Sequence, residues 1–169
     1  RPRRLLEACP FNQNEIRGRV DFDVPARGCQ MKDTATLASH TTSVRITGAA
    51  KDSEDTLREL QISSSASSPN RHFVVENLAS LTLTGLKLTG GRVRTDCKDD
   101  NDEKCWGGSI LIKSGYFTAD AVFFGGCGEG VVCARLGGAI HYQYDVIGAT
   151  SLTLQSSTFK GNSASVAGG

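Results

Sequence analysis

The residues best equipped for chemistry lie in one short run, Asp96-Cys-Lys-Asp-Asp-Asn-Asp-Glu-Lys-Cys105. Asp96, Asp99, Asp100, Asp102 and Glu103 put five carboxylates into it. Calcium, a hard cation that takes six to eight oxygen ligands, is the ion such a run would suit. The run does not match an EF-hand loop, which needs a central glycine for its sharp turn and a closing glutamate. The reading adopted is a solvated acidic loop closed by a Cys97–Cys105 bridge, its charge offset by Arg92 and Arg94. No cofactor is then expected; Ca²⁺ held through Asp96, Asp99, Asp100 and Asp102 is the alternative.

The six cysteines form two tight pairs, Cys97/Cys105 and Cys127/Cys133, and a looser one, Cys9/Cys29. Local bridges closing short loops are the simple reading, and they imply an oxidising compartment. Six cysteines allow 15 pairings, so free thiols in a cytosolic protein stay open as an alternative. Zinc needs four compactly spaced N or S ligands, and Cys127, Cys133 and His141 offer no CxxC pair.

Other catalytic groups are scattered. His40, His72 and His141 are far apart and sit in no metal-binding motif, so each reads as a surface or strand-end residue. Asp120 stands alone among Thr84 and Gln155 at equivalent repeat positions, Asp145 lies in an insertion, and Lys113 and Arg135 show no evident carboxylate partner. Tyr116, Tyr142 and Tyr144 could line a sugar, or simply pack. No serine-nucleophile or phosphate-loop motif occurs. No catalytic residue is expected.

Whatever these groups do, a repeat must position them. Leu81–Gly91, Phe117–Cys127 and Leu152–Asn162 align, with starts 36 and 35 residues apart. Thr82, Thr118 and Thr153 share one position; Leu88, Phe124 and Phe159 another; Gly90, Gly126 and Gly161 a third. Such self-similarity marks units that bury their apolar faces on one another. Leu81/Phe117/Leu152 and Leu83/Ala119/Leu154 should form inward columns and the threonines an outward ladder. The third-position glycines should turn corners at positive φ. Short alternating segments, Val20–Val24, Val44–Ile46, Leu60–Ile62, Phe73–Val75, Leu81–Leu83 and Leu86–Leu88, read as strands. The excess over a basic unit of about 20 residues is assigned to projecting insertions at Arg92–Trp106, Gly128–Leu136 and Gln143–Ala149.

Residues 1–43 lack the repeat and read as an N-terminal cap, with one apolar helical turn at Leu5, Leu6 and Ala8; residues 44–169 read as the repeat array. The array stops at Gly168-Gly169, which is read as truncation. An open last turn should then pair with another chain. Charge is balanced at +1, with 19 Lys+Arg against 18 Asp+Glu, so no basic face points to nucleic acid. No run of about 18 apolar residues could span a bilayer.

Gly137-Gly-Ala-Ile140 and Phe159-Lys-Gly-Asn162 are GGA[ILV] and FxxN tetrapeptides. Together they resemble the repeats of the chlamydial polymorphic outer membrane proteins and similar pectin-lyase-like repeats of large surface proteins. Gly107-Gly-Ser-Ile110 is a near match; Phe124-Gly-Gly-Cys127 departs, with Cys in place of Asn. The likeness covers roughly residues 44–169. It implies an all-β, right-handed parallel β-helix on an extracellular or cell-surface protein, structural or adhesive, meeting carbohydrate or a surface protein through its loops. The rival it leaves is a polysaccharide lyase or glycoside hydrolase of the same fold.

Overall fold

The computed structural model describes residues 6–10, 15–48, 57–62, 64, 68–99, 101–128, 131–143 and 150–167. These form strands and no α-helix. In chain order they are β1 (Glu7–Ala8), β2 (Glu15–Ile16) and β3 (Arg19–Asp23); β4 (Cys29–Met31), β5 (Ala35–Leu37) and β6 (Ser43–Thr47); β7 (Arg58–Ile62), β8 (Phe73–Val75) and β9 (Ala79–Thr84); β10 (Leu86–Thr89), β11 (Ile110–Ile112) and β12 (Gly115–Asp120). Then follow β13 (Phe123–Gly125), β14 (Ala134–Leu136), β15 (Ile140–Tyr142), β16 (Ser151–Gln155), β17 (Thr158–Lys160) and β18 (Ala164–Ala167).

All named strands pair in parallel. One sheet runs β1-β4-β7-β10-β13-β17, a second β15-β11-β8-β5-β2 and a third β16-β12-β9-β6-β3. The chain therefore visits the three sheets in turn and lays each strand beside the one formed a circuit earlier. The register matches the repeat residue for residue. Leu81 lies opposite Phe117 and Phe117 opposite Leu152, while Thr82, Thr118 and Thr153 follow one position on. Leu88, Phe124 and Phe159 form the third column. Alternate residues of a strand face opposite sides, so in β9 and β12 the apolar set points inward and the Thr set outward. The interior holds stacked rows such as Val44, Leu81 and Phe117, and Ile46, Leu83 and Ala119, all buried.

Arg19–Asp23 pairs with Ser43–Thr47 in the same sheet that holds β9 and β12. Three expectations need correction. Glu7–Ala8 is extended, not helical: its backbone pairs with Cys29–Gln30, an alternative that a lone helical turn cannot match. Leu5 lies outside the described residues. The Gly128–Leu136 insertion is not only a loop, because β14 pairs with β18 and Leu136 bridges Trp106. Finally, Gly90 and Gly161 have φ of 85° and 67°, but Gly126 does not adopt positive φ. A Cβ on Gly126 would instead overlap the Gly161 carbonyl, so close approach of backbones selects glycine there.

The two tetrapeptides now have physical explanations. In GGA[ILV], the second glycine of each pair packs under a carbonyl of the next layer. A Cβ on Gly108 would overlap Gly138 O, and one on Gly138 would come within 2.7 Å of Ser163 O. In FxxN, the Phe159 ring stacks on Phe124 with centroids 4.6 Å apart and planes 7° apart. Asn162 Nδ2 then donates to Phe124 O at 2.7 Å, tying one layer to the previous one. Cys127 takes the asparagine's place in the preceding copy and is tied covalently to Cys133 instead.

Candidate functional site on the inserted loop

Arg92–Trp106 is clamped at its neck. Arg92 and Asn70 exchange backbone hydrogen bonds of 2.7 and 2.9 Å, Val93 N donates to Cys133 O, and Arg94 N donates to Lys104 O. Cys97–Cys105 closes the loop, beside Cys9–Cys29 and Cys127–Cys133; the described chain has no free cysteine. The loop lies on the outer side of the second sheet. All three residues of β11 are buried, including Leu111, which alternation turns away from Ile110 and Ile112 in the core. Trp106 is also buried, and its ring stacks on His141 at 4.6 Å. The insertion thus hides apolar surface rather than standing off as a tether.

The acidic run spends its carboxylates locally. Asp96 takes two hydrogen bonds of 3.0 Å from Arg94, which holds its carboxyl below the usual range. Asp99 accepts from Asn101 N at 2.9 Å. Asp102 accepts from Lys104 N at 3.0 Å and caps a 3-10 turn, Glu103–Cys105. Asp100 lies outside the described residues. Among the described residues no three His, Cys, Asp or Glu side chains gather as a metal site would require.

Lys113, read from the sequence as lacking carboxylate partners, has two. Its Nζ lies 3.2 Å from Glu76 Oε2 and 2.9 Å from Glu103 Oε2. The periodicity contained this signal, since Val75 lies opposite Ile112 and the next positions are Glu76 and Lys113. A carboxylate and a lysine just past neighbouring strands, with a second carboxylate from the insertion, have the spacing that acid–base chemistry needs. The protonation of Lys113 opposes it. The hydrogen bond to Glu103 chiefly makes Lys113 hold its proton more tightly than an ordinary lysine; burial works against this and Glu76 adds to it. A base that abstracts a proton near neutrality needs the opposite shift.

The histidines part company. His40 is exposed, as expected. His72 stands just before β8, the strand-end alternative, but is wholly buried there, and its Nε2 lies 3.1 Å from Leu60 O. Burial pushes its imidazole down to about 4, against the carbonyls of Leu60 and Thr89. His141 is half-buried beneath Trp106; burial, and then the nearby Arg71 cation, lower its pKa. The two described tyrosines make no common strip: Tyr116 is exposed on β12 and Tyr142 packs against the core from β15; Tyr144 lies outside the described residues. Nothing in the residue pattern singles out Arg71. It is 8 % exposed, and its Nη2 donates to Glu103 O at 2.8 Å.

Fold and site together define a class: an all-β protein of parallel sheets, stapled by three disulfides, with one insertion fastened to a sheet face. Three disulfides in so small a chain are typical of extracellular proteins. No helix among the described residues is long and apolar enough to cross a membrane. No protein-family model, curated protein or solved structure matches the chain.

Proposed function

We propose that this chain is a stretch of right-handed parallel β-helix from an extracellular or cell-surface protein, and that it binds its partner through the inserted loop. The strand order supports the architecture, because a chain that enters three parallel sheets in rotation must wind. Parallel crossovers wind right-handed in the great majority of cases. Three disulfides support the compartment. The observation that carries the binding role is the clamping of Arg92–Trp106: a loop fixed at its neck and bridged at Cys97–Cys105 presents its polar tip with little ordering entropy left to lose.

The test is binding of the 169-residue protein to a glycan array and to intact cells. Retention should fall to background when residues 95–104 are replaced by a short Gly-Ser linker, the Asn70–Arg92 bridge being left in place. Retention unchanged by that replacement overturns the loop as the binding element.

A second reading, a polysaccharide lyase or glycoside hydrolase, has one observation in its favour: Glu76 and Glu103 converge on Lys113. Release of unsaturated or reducing ends from pectin or alginate, abolished by Glu103→Gln, would establish it over the binding role.

A further inference from the structure

Beside the clamped loop lies a cavity of about 200 Å³ lined by Thr34, Pro69, Arg71, Val93, Arg94 and Lys104. Three of these six are cations and none is an acid. Arg71 is the unusual one. Its Nη1 is buried with no hydrogen-bond partner. The carboxylate of Glu103, the anion whose field reaches Arg71, is already engaged by Lys113 at 2.9 Å. Desolvation lowers the Arg71 pKa only to about 10, so the side chain remains a cation at neutral pH. A buried charge with an idle donor costs free energy unless something satisfies it. Thr34 accepts from Arg71 N at 3.2 Å through Oγ1, which leaves its hydroxyl proton to donate elsewhere. Lys104 is exposed at the rim, and Arg94 shares its charge with Asp96.

We propose that this cavity is a binding site for one compact oxyanion, with Arg71, the Thr34 hydroxyl and Lys104 as its donors. Guanidinium, hydroxyl and ammonium together match sulfate, phosphate or carboxylate, and charge-assisted bonds to them are the strong kind. The anion completes the hydrogen bonding of Arg71 and neutralises a charge that Glu103, shared with Lys113, offsets only in part. The two limbs of the insertion, joined at Arg94 and Lys104, hold the far wall in place. The site stands without the surface role proposed above, since it is defined by the cavity and not by the partner.

The probes are inorganic sulfate, acetate and glucose 6-sulfate, each titrated at constant ionic strength against chloride. The readouts are calorimetry and the NMR signals of the Arg71 guanidinium. Sulfate should shift those signals saturably and chloride should not. Lys104→Gln and Thr34→Val should each weaken sulfate by about tenfold, the loss of one such bond. Arg71→Gln risks the fold, whereas Lys104→Gln changes only an exposed side chain and keeps the test open. Tighter binding of glucose 6-sulfate than of sulfate assigns the site to a group on a sugar; equal or weaker binding assigns it to the free ion. Absence of saturable shifts, or sulfate affinity unchanged in both variants, overturns the proposal.

Discussion

At the scale of single residues, burial of His72 has a measurable consequence. Its folded pKa is about 4 against an ordinary 6.5. The unfolded chain therefore takes up the proton first, and stability falls as pH drops through the interval between these values. The loss reaches roughly 3 kcal/mol at the acid end, since each unit corresponds to about 1.4 kcal/mol. Denaturant midpoints measured across that interval should slope downward toward acid, and His72→Gln should flatten the slope. An unaltered slope in the variant would show that other groups carry it. A second residue-scale effect sits at one corner. Gly85, Ala121 and Ser156 each follow the third-sheet strand of their circuit, with φ of 63°, 54° and 48°. Only the first is free of the Cβ penalty for that conformation. Ala121→Gly should therefore raise stability by about 0.5–1 kcal/mol, the relief of strain exceeding the entropy that glycine adds to the unfolded chain. A lower melting temperature in this variant would contradict it.

At the scale of elements, the stacked glycines set a sharper test. A Cβ on Gly108 would overlap the Gly138 carbonyl and lie 3.0 Å from Cys133 Cβ, whereas one on Gly18 would meet nothing within 4 Å. Gly108→Ala should cost about 3 kcal/mol or more, the upper end for overpacking, because the obstructing atom is a backbone carbonyl and two layers must shift. Gly18→Ala should cost only about 1–2 kcal/mol, from its left-handed φ alone. Equal losses in the two would remove the layer-contact explanation. The strands were legible because parallel pairing repeats one pattern: Phe73–Val75 has the expected bounds and Val44–Ile46 gains one residue at each end. The cysteine pairs were legible because short loops bring such residues together. Denaturing without reductant should accordingly expose no titratable thiol, and six should appear after reduction. What stayed hidden depends on contacts between circuits. Arg71 and His72 look like a polar start to a strand, and only the inserted loop lying over them, with the layer below, turns both into buried residues. Glu103 reads as one acid in a solvated run, yet its side chain reaches back to Lys113 on a different element.

At the scale of the whole molecule, the two ends of the stack differ in kind. β15, β16, β17 and β18 are outermost in their sheets. Around them Leu152, Leu154, Phe159 and Val166 are 38–53 % exposed. Leu152, Leu154 and Phe159 also line an apolar cavity of about 300 Å³ with Ile140, Tyr142 and Asn162. At the opposite end β3 carries Arg19, Asp21 and Asp23 along its edge, with Arg19 paired to Asp21 at 3.2 Å. Val20 and Phe22 there are half-buried. Charged edges discourage strand addition, and unpaired apolar edges invite it. The 169-residue chain should consequently associate through one end only. Two copies meeting by that same face make a closed, two-fold pair, whereas opposite ends meeting would propagate into fibres. Sedimentation velocity across a concentration series should show monomer passing to dimer and no larger species. Leu154→Asp should hold the chain monomeric, because a carboxylate placed on that face loses its water on pairing. A ladder of oligomers would mean that the charged end takes part after all. A monomer that persists to high concentration would mean that the exposed apolar row is too small to repay the cost of joining two molecules.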